Sequence, residues 1–232
     1  MTLQKIVTLT QISASGSQLV EIAIENAVIA GWTGRDTAKM EEHIEELVKL
    51  GITRPAATPL FYRVAAARLT QADAIEASGN QSSGEVEFVL IQDSKQLYVG
   101  IGSDHTDREV ETYGVTVSKQ MCDKPLSSEV WPYGEVAAHW DKLMLRSWAT
   151  QGGVRRLYQE GSITAMRAPD DIIGRYTDGA SALAPGTLMF GGTLPAIGGI
   201  APAERFEFEL EDPVLDRRLS HAYDIIVLPI AG

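Results

Sequence analysis

The stretch that most constrains this chain is residues 84–111, GEVEFVLIQDSKQLYVGIGSDHTDREVE. Glu85 and Glu87 flank Val86 at spacing two, so on a strand both carboxylates share one face and Val86 takes the other. The apolar run Phe88–Ile91 continues that strand. Residues 92–96 read as a polar turn, and Leu97–Ile101 as the returning strand. If Ile91 pairs with Leu97, Glu87 faces Ile101 and Glu85 faces Ser103, with Asp104 just beyond, at the mouth of the hairpin. Three carboxylates then meet at one end of one hairpin. Like charges that close are unfavourable without a counter-charge. Three carboxylate oxygens suit a hard divalent cation such as Mg²⁺, Mn²⁺ or Ca²⁺. The same pattern also suits a solvated, charged sheet edge.

Composition narrows the partners. The 31 acidic residues outnumber the 20 basic ones, for a formal charge of -11. That argues against nucleic acid or an anionic membrane as the main partner. Cys122 is the single cysteine, which excludes an internal disulfide and points to a reducing compartment. The N-terminus lacks the pattern of a secretory signal. No apolar run approaches the roughly 18 residues of a membrane span. A cytoplasmic protein is therefore expected. With no break in composition, residues 1–232 read as one domain.

Along the chain, Lys5–Leu9, Leu19–Ile24 and Asn26–Ala30 read as strands, the last running into the loop Gly31–Asp36. Asp36 or Thr37 can cap a helix with its body at Lys39–Leu50, where Met40, Ile44, Leu47 and Val48 form an apolar stripe. His43 and Glu46 lie three apart on that helix, so they share a face and can act as a base and its orienting carboxylate. The surrounding Glu41, Glu42 and Glu45 equally suit a wet helix face. Phe61–Val64, Val115–Val117, Leu143–Trp148 and Leu157–Gly161 read as further strands, with a helical stretch from Glu135 ahead of Leu143. A helix is expected from Pro169 to about Leu183. Thr187–Phe190 reads as a buried strand, followed by Gly191-Gly192-Thr193-Leu194-Pro195, a loop whose backbone amides can approach an anion. Arg205–Leu210 and His221–Leu228 complete the strands. Strands outnumber helices without alternating with them, which indicates an α+β fold.

Several short motifs then line up in order with one family. Gly34-Arg35-Asp36 leads to His43-Ile44-Glu45-Glu46. Glu85-Val86-Glu87 opens an apolar strand. Asp104-His105-Thr106-Asp107-Arg108-Glu109 follows, then Lys119 or, as the alternative, Lys124. Gln159-Glu160-Gly161 precedes Met166, and Leu183-Ala184-Pro185-Gly186-Thr187 precedes Gly191–Pro195. Over about residues 26 to 228 the sequence resembles the fumarylacetoacetate hydrolase superfamily, and more narrowly a DUF2848-like bacterial branch. It departs from the family pattern at Asp36-Thr37, at Thr187, at Leu194 and in the short interval from Glu87 to Asp104.

The resemblance implies a rolled mixed β-sheet like that family's C-terminal catalytic domain, assembled as a homodimer. It implies Mg²⁺ or Mn²⁺ held by Glu85, Glu87 and Asp104, and a small carboxylate substrate. His43, oriented by Glu46, would be the base, and Lys119 and Gln159 would donate to a developing oxyanion. Arg35, Gln159 and Thr193 would contact the substrate. The expected reaction is hydrolysis of a C–C bond in an acylpyruvate-like 1,3-diketo acid. The alternatives are a metal-dependent decarboxylase, hydratase or isomerase of a 2-keto acid, or a binding protein that keeps the metal cup without catalysis.

Overall fold

The computed structural model describes residues 4–49 and 54–231. The chain begins with strands β1 (Lys5–Ser13), β2 (Gly16–Ile24) and β3 (Asn26–Gly31), helix α1 (Thr37–Lys49), and strands β4 (Leu60–Val64), β5 (Leu69–Thr70), β6 (Ala74–Ser78) and β7 (Ser82–Ser83). The central hairpin is β8 (Val86–Gln92) and β9 (Leu97–Ser103). It is followed by β10 (Thr106–Asp107), helices α2 (Arg108–Tyr113) and α3 (Val115–Met121), β11 (Lys124–Pro125), β12 (Glu129–Pro132) and the short helix α4 (Tyr133–Val136). The last part holds β13 (Met144–Gln151), β14 (Val154–Ser162), α5 (Pro169–Tyr176), β15 (Thr187–Thr193), β16 (Arg205–Asp212) and β17 (Arg217–Leu228).

Two sheets carry the architecture. The larger has the order β2-β1-β12-β9-β8-β15-β3-β4, and the smaller β14-β13-β16-β17-β6. The larger sheet mixes antiparallel pairs with parallel ones, β1 with β12 and β15 with β3. It rolls around an inner core of Val7, Leu9, Ile22, Ile24, Ala27, Ile29, Val89, Ile91, Leu188 and Phe190. Its outer face presents Val86, Phe88, Leu90, Val99 and Ile101 to Leu145, Phe206, Phe208, Leu210 and Tyr223 of the smaller sheet. Period-two alternation along β8 therefore sends even-numbered residues to the sheet–sheet core and odd-numbered ones into the roll. Both of its faces are apolar because both are buried. The fold is α+β, as the strand-rich pattern indicated, with a rolled mixed sheet, as the resemblance implied.

Three expectations need correction. The central hairpin is one residue out of the expected register: Ile91 pairs with Tyr98 and Glu87 with Gly102. Continuing that ladder, the Asp104 amide donates to the Glu85 carbonyl at 3.0 Å. Cross-strand partners share a face, and a one-residue slip exchanges every pair. The observed register thus places Glu85, Glu87 and Asp104 together on the roll side, with the side-chain-free Gly102 opposite Glu87. Next, Val115–Val117 is the start of helix α3, not a strand. Strand preference in a β-branched triplet is small, and the helix buries Ser118 and Lys119. Finally, α5 ends at Tyr176 rather than near Leu183.

Candidate metal centre

The open end of the roll, where β8 begins and β9 ends, gathers three acids. One oxygen from each of Glu85, Glu87 and Asp104 lies within 4.8 Å of the others. Glu87 and Asp104 are buried; Glu85 is partly exposed. Each is held by a different part of the chain. Glu87 Oε2 accepts the Gly192 amide at 2.7 Å. Asp104 meets the Lys119 ammonium at Oδ2 and the Lys124 ammonium at Oδ1, the latter at 3.0 Å. Glu85 pairs with Arg108 at 3.1 Å, whose Nε also donates to Ser83 Oγ at 2.8 Å.

The Gly192 contact explains a glycine pair. The ladder between β15 and β8 is interrupted between Phe190 and Thr193, so Gly191-Gly192 forms a bulge. A Cβ on Gly191 would lie 2.0 Å from the Phe88 ring, and one on Gly192 1.8 Å from Thr33 Oγ1. Gly192 also has φ +103, in the left-handed range glycine tolerates. The bulge aims an amide at an anion, as this loop's composition indicated, and that anion is the chain's own Glu87.

The two buried acids titrate in opposite directions. Burial, together with the neighbouring Asp104 charge, pushes the Glu87 carboxyl well above the ordinary carboxylate range. Burial also opposes ionisation of Asp104, but the two lysines outweigh it and hold that carboxyl well below its usual value. Burial similarly disfavours the Lys119 ammonium, yet Asp104, Glu85 and Glu87 hold its pKa above the usual lysine value. His105, next to Asp104, is no candidate ligand. It is fully buried, shares a hydrogen bond with Tyr223 Oη at 2.9 Å, and is pushed down to about 3 by burial and by the Lys124 and Arg108 charges.

This donor set fits a hard divalent cation. Oxygens sharing an octahedral ion at ~2.1 Å stand ~3 to ~4.2 Å apart, so the observed separations need only a small closure. Among the described residues Asp104 has ion pairs with Lys119 and Lys124 and Glu85 with Arg108, while Glu87 has none. A cation here relieves the repulsion that burial creates.

The other anticipated site residues fall out as follows. Lys119 and Lys124 both reach Asp104. Gln159 is buried with both amide atoms engaged: Oε1 accepts from the Val86 amide and Ser147 Oγ, each at 2.9 Å, and Nε2 donates to Thr193 Oγ1 at 2.8 Å and Leu194 O at 2.6 Å. Thr193 Oγ1 in turn donates to Val86 O at 2.8 Å. Gln159 and Thr193 thus pin the start of the strand that carries Glu87. Arg35 bonds the Met166 carbonyl and Asp141, each at 2.9 Å. His43 and Glu46 occupy positions on α1, which Asp36 caps by accepting from the Ala38 and Lys39 amides; both side chains lie outside the described residues. Arg108 was not singled out from the sequence. Its place four residues after Asp104, on the first turn of a helix, was the available signal.

Residues 30–223 match the family described as "Protein of unknown function (DUF2848)". The chain belongs to the DUF2848 family. Its fold is that of fumarylacetoacetate hydrolase family proteins. A yeast member superposes with TM-score 0.64 at 16% identity, over 90% of this chain and 95% of that one. The 5-carboxymethyl-2-hydroxymuconate delta-isomerase from Mycobacterium smegmatis gives 0.63 at 12% identity, over 93% and 82%. A 2-keto-3-deoxy-D-arabinonate dehydratase complexed with magnesium and 2,5-dioxopentanoate gives 0.63 at 13% identity, over 94% and 79%. No curated protein matches this sequence. No described helix of this DUF2848 chain is long and apolar enough to cross a membrane.

Proposed function

We propose that this DUF2848 protein is a Mg²⁺- or Mn²⁺-dependent enzyme that hydrolyses a C–C bond in an acylpyruvate-like 1,3-diketo acid. The observation that carries the reading is the convergence of Glu85, Glu87 and Asp104 beside two buried ammonium groups at the mouth of the roll. Glu85, Glu87 and Asp104 would hold the cation, which when bound supplies Lewis acidity toward the carboxylate and keto oxygens of a 2-oxo acid. The magnesium complex of the dehydratase with a dioxo acid supports that ligand class.

The chain's own groups would do the remaining work. Lys119 Nζ would donate a hydrogen bond to the oxygen on which negative charge develops. His43, oriented by Glu46, would remove a proton from the attacking water. Lys124 would keep Asp104 ionised and in place, and the Gly192 amide would do the same for Glu87. Gln159 and Thr193 would keep the first residues of β8 in register.

The test is turnover of a panel of acylpyruvates, oxaloacetate and 2-keto-3-deoxy sugar acids with Mg²⁺ or Mn²⁺. Hydrolysis of an acylpyruvate, lowered about 10²–10⁴-fold by His43→Ala, is the expected result. Decarboxylation or dehydration with acylpyruvates inert would replace the hydrolase reading and keep the metal one. Metal-dependent binding across the panel without turnover would favour a binding protein.

A further inference from the structure

Two ammonium groups sit on one carboxylate that the reading above assigns to a metal, and they are not equivalent. Lys124 belongs to strand β11, whose backbone pairs with β5. It is fully buried, and besides Asp104 Oδ1 its ammonium donates to the His105 carbonyl at 2.5 Å. Lys119 stands near the end of the short helix α3. Its side chain keeps 8% exposure, and Asp104 Oδ2 is its ammonium's one hydrogen-bond partner among the described residues. The Tyr62 ring lies nearby, 5.8 Å from Nζ to the centroid. Lys124 is thus anchored at two points and Lys119 at one, with an aromatic face to move toward.

We infer that Lys119 is the resident cation of the acid triad: its ammonium neutralises the site before metal arrives and is displaced from Asp104 by the divalent ion, while Lys124 stays. The inference rests on the metal reading of the site and assigns a further role to one of its residues. A metal bound through Asp104 and an ammonium on Oδ2 compete for the same lone pairs, and like charges this close repel strongly where water is scarce. Lysine has a flexible four-carbon stem, so its charge can swing a few ångström without backbone movement. A Tyr face is a favourable resting place for the displaced group. Displacement leaves the Lys119 N–H groups free for the substrate only once the metal is bound. Metal loading would then switch on the hydrogen-bond donor that the proposed chemistry uses.

The experiment is calorimetric titration of the metal-free protein with MnCl₂, in wild type, Lys119→Met and Lys119→Gln. Removing the competing charge should tighten Mn²⁺ binding at least ~10-fold in both variants. Unchanged or weaker binding in the variants, with wild type binding normally, overturns the inference and leaves the metal reading standing. Absence of Mn²⁺ binding in all three overturns the metal reading itself. A second measurement needs no variant: acylation of the folded wild-type protein by acetic anhydride, read per lysine by peptide mass spectrometry. Mn²⁺ should raise labelling of Lys119 several-fold while Lys124 stays protected. Labelling of Lys119 that Mn²⁺ leaves unchanged or lowers refutes displacement.

Discussion

Two charge clusters of the molecule contrast, one at the mouth of the roll and one on the outer face of the smaller sheet. On the outer face, Arg146 meets Glu160 at 2.7 Å, Glu209 at 3.0 Å and Glu211 at 2.5 Å, and Arg218 meets Glu211 at 2.9 Å. These residues alternate along β13, β14, β16 and β17 with core residues such as Leu145, Phe208 and Leu210. Every shift there favours the charged forms: hydrogen bonds from Arg146 and Arg218 hold the Glu211 carboxyl below its usual value. At the mouth, two acids of one constellation shift in opposite directions, Glu87 up and Asp104 down. Water reaches the outer cluster and settles its charges one by one. At the mouth, burial and the Asp104 charge work against ionisation of Glu87, which has no ion pair among the described residues. A cluster of the first kind is a solvated face. The second kind gathers three carboxylates whose oxygens could hold an ion.

The largest expected difference between the two regions is functional. Glu87→Ala should abolish Mn²⁺ binding by calorimetry and lower turnover at least about 10²-fold, since metal catalysis supplies several kcal/mol. Arg146→Ala should leave both unchanged. Metal affinity that survived Glu87→Ala would erase the distinction.

Stability comes next. Lys124→Met removes one partner of a fully buried pair and leaves the His105 carbonyl without its donor. It should cost about 3–5 kcal/mol in chemical denaturation of the metal-free protein. A cost below 1 kcal/mol would mean that Lys124 is not what holds Asp104.

The outer cluster supplies the smallest effects. Arg146→Ala should cost no more than about 1 kcal/mol, falling further in high salt. The sign with pH follows from the lowered Glu211 pKa. A carboxyl depressed in the fold contributes stability above its unfolded value, near ~4.3, and loses it as pH falls through the folded value. The gap between wild type and Arg146→Ala should therefore shrink on acidification from pH 7 to below ~4. A gap that widened in acid would contradict the assignment of Glu211 to Arg146.

Much of this was legible in the residues. Strands β1, β2, β3, β4, β8, β9, β13, β14, β15, β16 and β17 and helix α1 were readable because alternation, helical periodicity and caps are local signals. The Glu-x-Glu spacing with Asp104 past the returning strand located the acid end, because parity along a strand survives errors elsewhere. Gly191-Gly192 was readable as a loop that brings an amide to an anion. What was not legible depended on partners far away in sequence. The amide at Gly192 reaches Glu87 across 105 residues, and Gln159 reaches the Val86 amide across 73. No local pattern names such partners, so the bonds that tie Gln159 and Thr193 to the start of β8 were not legible in the sequence.

The sequence by itself determined that three carboxylates would share the end of one hairpin in a strand-rich α+β chain, because side-chain direction on a strand depends only on residue parity. Only the tertiary structure decided the register that puts Asp104 on their face, through packing on both sides of β8. Only it turned Val115–Met121 into a helix, on which Ser118 donates to the Asp107 carbonyl and Lys119 pairs with Asp104. That helix and strand β11 bring two lysines onto one carboxylate. The charge state of the site then follows from burial and distance, which exist only once the roll has closed around it.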